Sequence, residues 1–274
     1  MTRTDSAPPP MIWIGGAPGA GKSTLARTMA HAYDLPLHPI DLWTYDHTLR
    51  VPPARPLDED LARGPDAAAE AFTEHSRTRL EFVAQDIEAR ELGSVPALVE
   101  GPQLFPSMAA DLPAGYGVWL VPDAEQTRMA RELRLARTED PAGRARLESL
   151  LGRDAALAEK VRKEAAEAEY PIIEVPADPD WGAIATAVTS ALGRAFEGAS
   201  RLAPGDALSS QRQIENQAAC RQGRLWQADI GLAELPPFPF ACECGRSACQ
   251  NTWPGTPDQY DERRADGWLV VEPN

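Results

Sequence analysis

The chain has 274 residues, of which 43% are hydrophobic and 25% charged, proportions that belong to a folded globular protein. Acidic residues number 41 against 27 basic ones, a net charge of −14, which argues against a general nucleic-acid binder because phosphate backbones are held by Lys and Arg. No apolar stretch approaches the ~18 residues that cross a bilayer, so a spanning helix is excluded too.

Residues 1–10 are polar and proline-rich, lack the apolar stretch of a secretory leader, and read as a disordered lead-in. Residues 11–14, Met-Ile-Trp-Ile, read as a short buried strand and 23–32 as a helix. Between them Gly16-Ala17-Pro18-Gly19-Ala20-Gly21-Lys22-Ser23-Thr24 fits G-x-x-x-x-G-K-[ST] at every required position. Its glycines allow successive backbone N–H groups to turn toward phosphate oxygens, and the helix that follows adds its positive dipole end. In this pattern Lys22 reaches the β- and γ-phosphates and the Ser23 hydroxyl ligates Mg²⁺. Gly16, Gly19, Ala20, Gly21, Lys22, Ser23 and Thr24 are therefore the expected nucleotide contacts. The competing reading, a glycine-rich turn with an incidental lysine, does not account for the strand before it and the helix behind it.

Four more apolar runs follow, at 35–40, 95–100, 117–121 and 171–175, alternating with helix-period segments. One such segment, 66–91, carries Phe72, Leu80, Val83 and Ile87 on one face. The alternation predicts an α/β fold with a parallel sheet covered by helices on both faces. The run at 35–40 is the weakest strand, because Pro36 and Pro39 cannot donate to a ladder. The segment 57–92 has no strand of its own and reads as a helical insertion over the ligand crevice at the carboxyl ends of the strands. Helices are expected at 125–137 and 144–169, broken at Asp140-Pro141, and at 181–196, closing a domain that spans 11–198. Residues 199–274 read as a second unit: a polar helix at 206–223, an extended proline-rich link at 235–240, a cysteine-bearing segment, and a tail ending Trp268-Leu269-Val270-Val271.

Phosphoryl transfer needs the γ-phosphate held, its charge neutralised and an acceptor hydroxyl aimed in line. Asp41, after the second run, would face the phosphate loop across the crevice and act as general base or hold Mg²⁺ through water; a turn or helix-capping aspartate is the less favoured alternative. His47 either binds substrate or is a solvated loop histidine. Glu100 ends the third run, where a carboxylate can assist Mg²⁺ or bond substrate, or face water. Arg128, Arg131, Arg134 and Arg137 recur at three-residue steps, a spacing that drifts around a helix, so only one or two can close over phosphates as a lid. Arg153, beside Asp154, is a further phosphate candidate. Surface ion pairing with Glu125, Glu132 and Glu148 is the alternative for any of them.

The phosphate loop, the strand-end Asp41, the Val99-Glu100-Gly101-Pro102 turn and the Arg153-Asp154 helix together resemble the P-loop small-molecule kinases, a group that includes shikimate kinase, nucleoside kinases and chloramphenicol phosphotransferase. The resemblance covers about 11–195. It implies a five-stranded parallel sheet, ATP with Mg²⁺, and transfer to a hydroxyl of a small molecule. Carried over by position, it puts Asp41 beside the acceptor hydroxyl and makes 124–154 the lid, with Arg128 and Arg153 on the nucleotide and Arg134 as the catalytic arginine. The arginines match no single subfamily, so the resemblance leaves the acceptor open.

All four cysteines lie in the last quarter of the chain, which with the missing leader suggests reduced thiols and a cytoplasmic location. Cys242, Cys244 and Cys249 form C-x-C-x₄-C, similar to a short cysteine module at the ends of various actinobacterial proteins. They either share an ion such as Zn²⁺, with Cys220, a carboxylate or water as fourth ligand, or pack as free thiols in an apolar cap with Phe238, Phe240, Trp253 and Trp268. Two functions stay open at this level. One is an ATP-dependent kinase of a small hydroxylated molecule. The other is a non-catalytic nucleotide-dependent binding protein that captures a protein partner through the cysteine module.

Overall fold

The structure is a computed structural model that describes residues 10–51, 55–134 and 141–266. In chain order the elements are β1 (Met11–Gly16), α1 (Lys22–Ala32), β2 (Leu37–Pro39), a 3-10 turn at Ile40–Trp43, α2 (Thr44–Thr48), α3 (Leu57–Ala62), α4 (Pro65–Glu88), β3 (Ala97–Glu100), β4 (Gly117–Pro122), α5 (Ala124–Arg134), α6 (Pro141–Glu167), β5 (Ile172–Val175), α7 (Trp181–Ala191), α8 (Gly193–Gly198), α9 (Asp206–Ile230), β6 (Phe238–Ala241), β7 (Thr252–Gly255) and α10 (Pro257–Ala265). A second 3-10 turn, Pro106–Met108, precedes β4.

Five strands form one parallel sheet in the order β2-β3-β1-β4-β5, the α/β architecture that the five apolar runs predict. Both faces are buried, so the strands read as continuous apolar runs whose side chains alternate between two cores. Ile12, Ile14, Leu98 and Leu120 point toward α1, α7 and α8, where Leu25, Met29, Val188 and Phe196 meet them. Trp13, Val99, Trp119 and Val121 point the other way, against Val83 and Ile87 of α4 and Leu157 and Val161 of α6. In chain order α4 comes between β2 and β3, and its Val83 and Ile87 pack on the sheet face that carries Trp13 and Val99.

The prolines explain why β2 has three residues and lies at the sheet's edge, where an outward N–H needs a partner other than a strand. The Leu37 N–H finds it in Glu215 of α9, 3.1 Å away at Oε1. The same carboxylate meets His31 Nε2 at 3.1 Å and Arg212 Nη1 at 2.6 Å. Arg212 also donates to the carbonyls of Leu35 and Ala30, the latter shared with the Leu35 N–H at the end of α1. Asp34, at the same end of α1, accepts from the Ser247 hydroxyl and from the Ala248 N–H at 2.7 Å. Residues 199–266 are thus tied to the sheet by buried charge.

α9 runs on to Ile230 instead of stopping at Gly223, because Gly223 sits inside the packing, beneath Leu235 and Pro257, while Gly231 supplies the left-handed residue (φ 67°) that ends the helix. Beyond it β6 and β7 pair as an antiparallel hairpin. Asn216 of α9 bonds both the N–H and the carbonyl of Ala241. Phe240, Tyr260, Ala219 and Cys220 form a small third core, with Phe238 and Trp253 against it. Trp268, expected in that core, lies outside the described residues.

Candidate active site

The phosphate loop is shaped by contacts that admit no side chain at two of its glycines. A Cβ on Gly16 (φ 118°) would lie 2.0 Å from the Leu120 carbonyl oxygen, and one on Gly21 (φ 71°) 2.4 Å from the Trp181 ring. Gly21 also stands at the cap position of α1, where no side chain bonds the helix's first N–H groups and no acidic residue occupies the first turn. Those N–H groups and the dipole end are therefore presented to an anion. The loop is braced by Gln126 of α5, whose side-chain amide donates to the Gly19 carbonyl at 3.1 Å.

In front of the loop lies a cavity of about 350 Å³. Gly19, Ala20, Gly21, Lys22, Ser23, Thr24, Asp41, Glu100 and Arg153 all line it, so most of the residues singled out from sequence converge here. Lys22 is 5% exposed and its ammonium donates to the Ala17 carbonyl at 2.7 Å. Glu100, 1% exposed at the end of β3, lines the same cavity as the Ser23 hydroxyl. Burial and the nearby Asp41 charge push its carboxyl up to about 7, against the opposing pull of Lys22 and Ser23. Asp41 leaves the sheet in the 3-10 turn after β2, and Gln103 Nε2 donates to its Oδ1 at 2.9 Å.

Two cavity residues carry little signal in the sequence, Arg79 and Gln103, and Arg131, one of the stepped lid arginines, lines the cavity with them. Arg131 of α5 and Arg153 of α6 are both held by the buried carboxylate of Asp154, at 2.6 Å and 2.8 Å. One aspartate thus aims two guanidinium groups from two helices at the phosphate loop. Arg153 also lies over the Phe72 ring, 5.5 Å from its centroid. Arg79 shares a face of α4 with Phe72, seven residues apart, and donates to the Thr44 hydroxyl at 3.3 Å.

Three expectations find other surroundings. Arg128 is not brought to this cavity; one turn before Arg131 on α5, it is exposed and is taken up by Glu148 of α6 at 2.9 Å. His47 is fully buried, not in a substrate loop: its Nε2 meets Asp86 of α4 at 2.9 Å, and Asp86 also pairs with Arg50 at 2.7 Å. Cys220 stands apart from the other cysteines, packed in the third core. The side chain of Arg134 lies outside the described residues.

Cys242, Cys244 and Cys249 do come together, their sulfurs within 4.8 Å of one another. The Cys244 N–H points at the Cys242 sulfur at 3.4 Å, and Arg246 Nε approaches the Cys244 sulfur at 3.5 Å. Burial raises the Cys244 thiol, but the Arg246 and Cys242 hydrogen bonds outweigh it and hold it down at about 7. The donor set suits a thiophilic ion and offers it three of the four bonds zinc takes; among the described residues no His or carboxylate joins the group. Glu243, next to it in sequence, is committed to Asn216, Tyr260 and Arg264.

Fold and site together define a P-loop α/β protein. No family model matches the chain, and a search of curated proteins finds no match. Among solved structures it is similar to an uncharacterized protein from Eubacterium ventriosum ATCC 27560, with 12% identity, a TM-score of 0.42 and coverage of 68% of this chain and 98% of that one. A shikimate kinase from Bacteroides thetaiotaomicron aligns at 16% identity and TM-score 0.37, over 69% of this chain and 96% of its own. A gluconokinase from Sinorhizobium meliloti 1021 aligns at 16% identity and TM-score 0.38, over 70% and 96%. No helix is long and apolar enough to cross a membrane among the described residues.

Proposed function

We propose that the protein is an ATP-dependent phosphotransferase acting on a hydroxyl of a small molecule. The observation that carries this reading is the single cavity lined by the phosphate loop with Ser23, by Glu100 and Asp41, and by the two arginines held by Asp154. The loop amides and Lys22 hold the β- and γ-phosphates. Ser23 and Glu100 would hold Mg²⁺, which when bound supplies further positive charge at the phosphates. Asp41 accepts the acceptor's proton as the hydroxyl oxygen bonds to the γ-phosphorus. The bond from that phosphorus to the bridging oxygen breaks, its electron pair stays on ADP, and the proton passes from Asp41 to solvent. Arg131 and Arg153 stabilise the charge spread over the transferring group.

The reading is tested by ADP release with ATP, Mg²⁺ and a panel of hydroxylated small molecules. At least one acceptor raises turnover well above the rate with water alone; nucleotide binding with no acceptor-dependent release across the panel defeats the proposal. Glu100→Gln keeps the shape of the site and removes the charge. It is expected to raise the Mg²⁺ concentration at half-maximal rate by about tenfold, the loss of one charge-assisted ligand, while nucleotide still binds without metal. An unchanged Mg²⁺ dependence would remove Glu100 from the metal site.

We also propose that the three clustered cysteines bind one thiophilic ion, with an outside ligand completing the shell. Co²⁺ added to the reduced protein should give thiolate charge-transfer absorption that saturates at one equivalent. Cys244→Ser should lose it and Cys220→Ser should keep it, since Cys220 stands in the third core. Equal loss in both variants would show that the ion sits elsewhere.

A further inference from the structure

A second cavity, of about 500 Å³, opens on the other side of Asp41. Its walls come from the 3-10 turn after β2 (Asp41, Leu42), from α9 (Gly223, Trp226) and from the proline-rich link and β6 (Pro237, Phe238). Asp41 lines both cavities and is the one charged residue among those lining the second. The chemistry divides at that carboxylate. On the phosphate side stand Lys22, Arg79, Arg131 and Arg153. On the far side the walls are mainly apolar, with Gln222 the other polar side chain among them.

We infer that this second cavity is the acceptor site, and that it takes an alcohol with an apolar ring body and no anionic group. The inference rests on the phosphotransfer reading for the role of Asp41, and names the substrate class for it. Gln103 holds Asp41 Oδ1, which restrains the carboxylate's rotation, so that Oδ2 would be the oxygen to meet a hydroxyl. A flat apolar body is matched by Trp226, left 37% exposed, and by the Phe238 ring. An anionic acceptor would meet Asp41, the one charged residue among those lining this cavity. The volume falls in the range of small-molecule pockets. Gly223 keeps the floor low in the interior of α9, where alanine would favour the helix: a Cβ there stands 3.4 Å from Leu235 Cδ1 and 3.5 Å from Pro257 Cγ, and any longer side chain enters the space. The wall is also joined to the phosphate side through Arg27, four residues beyond Ser23 on α1, whose guanidinium lies 5.1 Å from the centre of the Phe238 ring. Residues 219–257 then supply most of the acceptor pocket's walls.

The test uses the full chain with a non-hydrolysable ATP analogue and Mg²⁺, and two probes, 2-phenylethanol and gluconate, followed by saturation-transfer NMR. The aryl alcohol should bind and gluconate should not at the same concentration. Gly223→Leu, which fills the cavity, and Trp226→Ala, a change at a partly exposed position that leaves the fold intact, should each weaken 2-phenylethanol by about tenfold or more, the worth of one lost aromatic contact. Analogue binding in the same samples reports the phosphate site separately. Alcohol binding without nucleotide binding supports the cavity and defeats the phosphotransfer reading. Nucleotide binding with capture of gluconate alone, or alcohol binding untouched by both variants, overturns the cavity assignment.

Discussion

Replacing Lys22 by alanine is expected to lower acceptor-dependent ADP release by about 10²–10³-fold, the usual cost of removing one preorganised charge from a transition state. The ammonium is almost wholly buried and anchored on the Ala17 carbonyl, so its position is set before nucleotide arrives. It is also one of the groups that offset the repulsion between Glu100 and Asp41. Its loss therefore removes phosphate neutralisation and leaves two carboxylates facing each other across the cavity. Arginine should not rescue the rate, because a planar guanidinium is wider than the ammonium and the wall position is enclosed. The measurement is kcat by coupled ADP detection, with the fold checked by circular dichroism. A variant within tenfold of the wild-type rate would mean that the loop is not where the phosphates sit.

The largest stability effect is expected at Glu215, far from the chemistry. Glu215→Ala should cost about 3–5 kcal/mol in urea unfolding at neutral pH, because it strands Arg212 and His31 in a buried setting and leaves the outward N–H of Leu37 unpaired. Burial would raise this carboxyl, but the charge of Arg212 and the His31 hydrogen bond outweigh it and hold it at about 2, against an ordinary 4.5. The folded chain therefore releases this proton more readily than the unfolded one. Its contribution, on the order of 3 kcal/mol, is complete above about pH 4.5 and fades as pH falls toward 2. Glu215→Gln should flatten that part of the stability profile. A wild-type chain equally stable at pH 5 and pH 3 would contradict the network.

The phosphate loop was legible because its motif fixes residue types at fixed spacing and its flanks carry distinct periods. The five strands were legible for the same reason, the apolar runs being buried on both faces. The missing information was long-range. His47 looks like a loop residue until Asp86, 39 positions on, closes over it. The arginine steps do not say which side chain turns inward; Asp154 decides that for Arg131 from another helix. The hairpin's second strand and α10 escaped notice because both are short, with Pro254 inside the one and Pro257 opening the other. The second cavity leaves no motif at all, since it exists only where α9 meets the turn after β2.

The helix laid against β2 has a consequence for self-association. An unguarded sheet rim invites a second molecule to add its own strand, the first step toward fibrous aggregates. Here that rim is three residues long, flanked by prolines, and its outward amide is already spoken for by a carboxylate from the same chain. Docking of α9 therefore also guards the β2 edge of the sheet against a second copy, and acid strong enough to neutralise Glu215 would loosen the fold and bare that edge together.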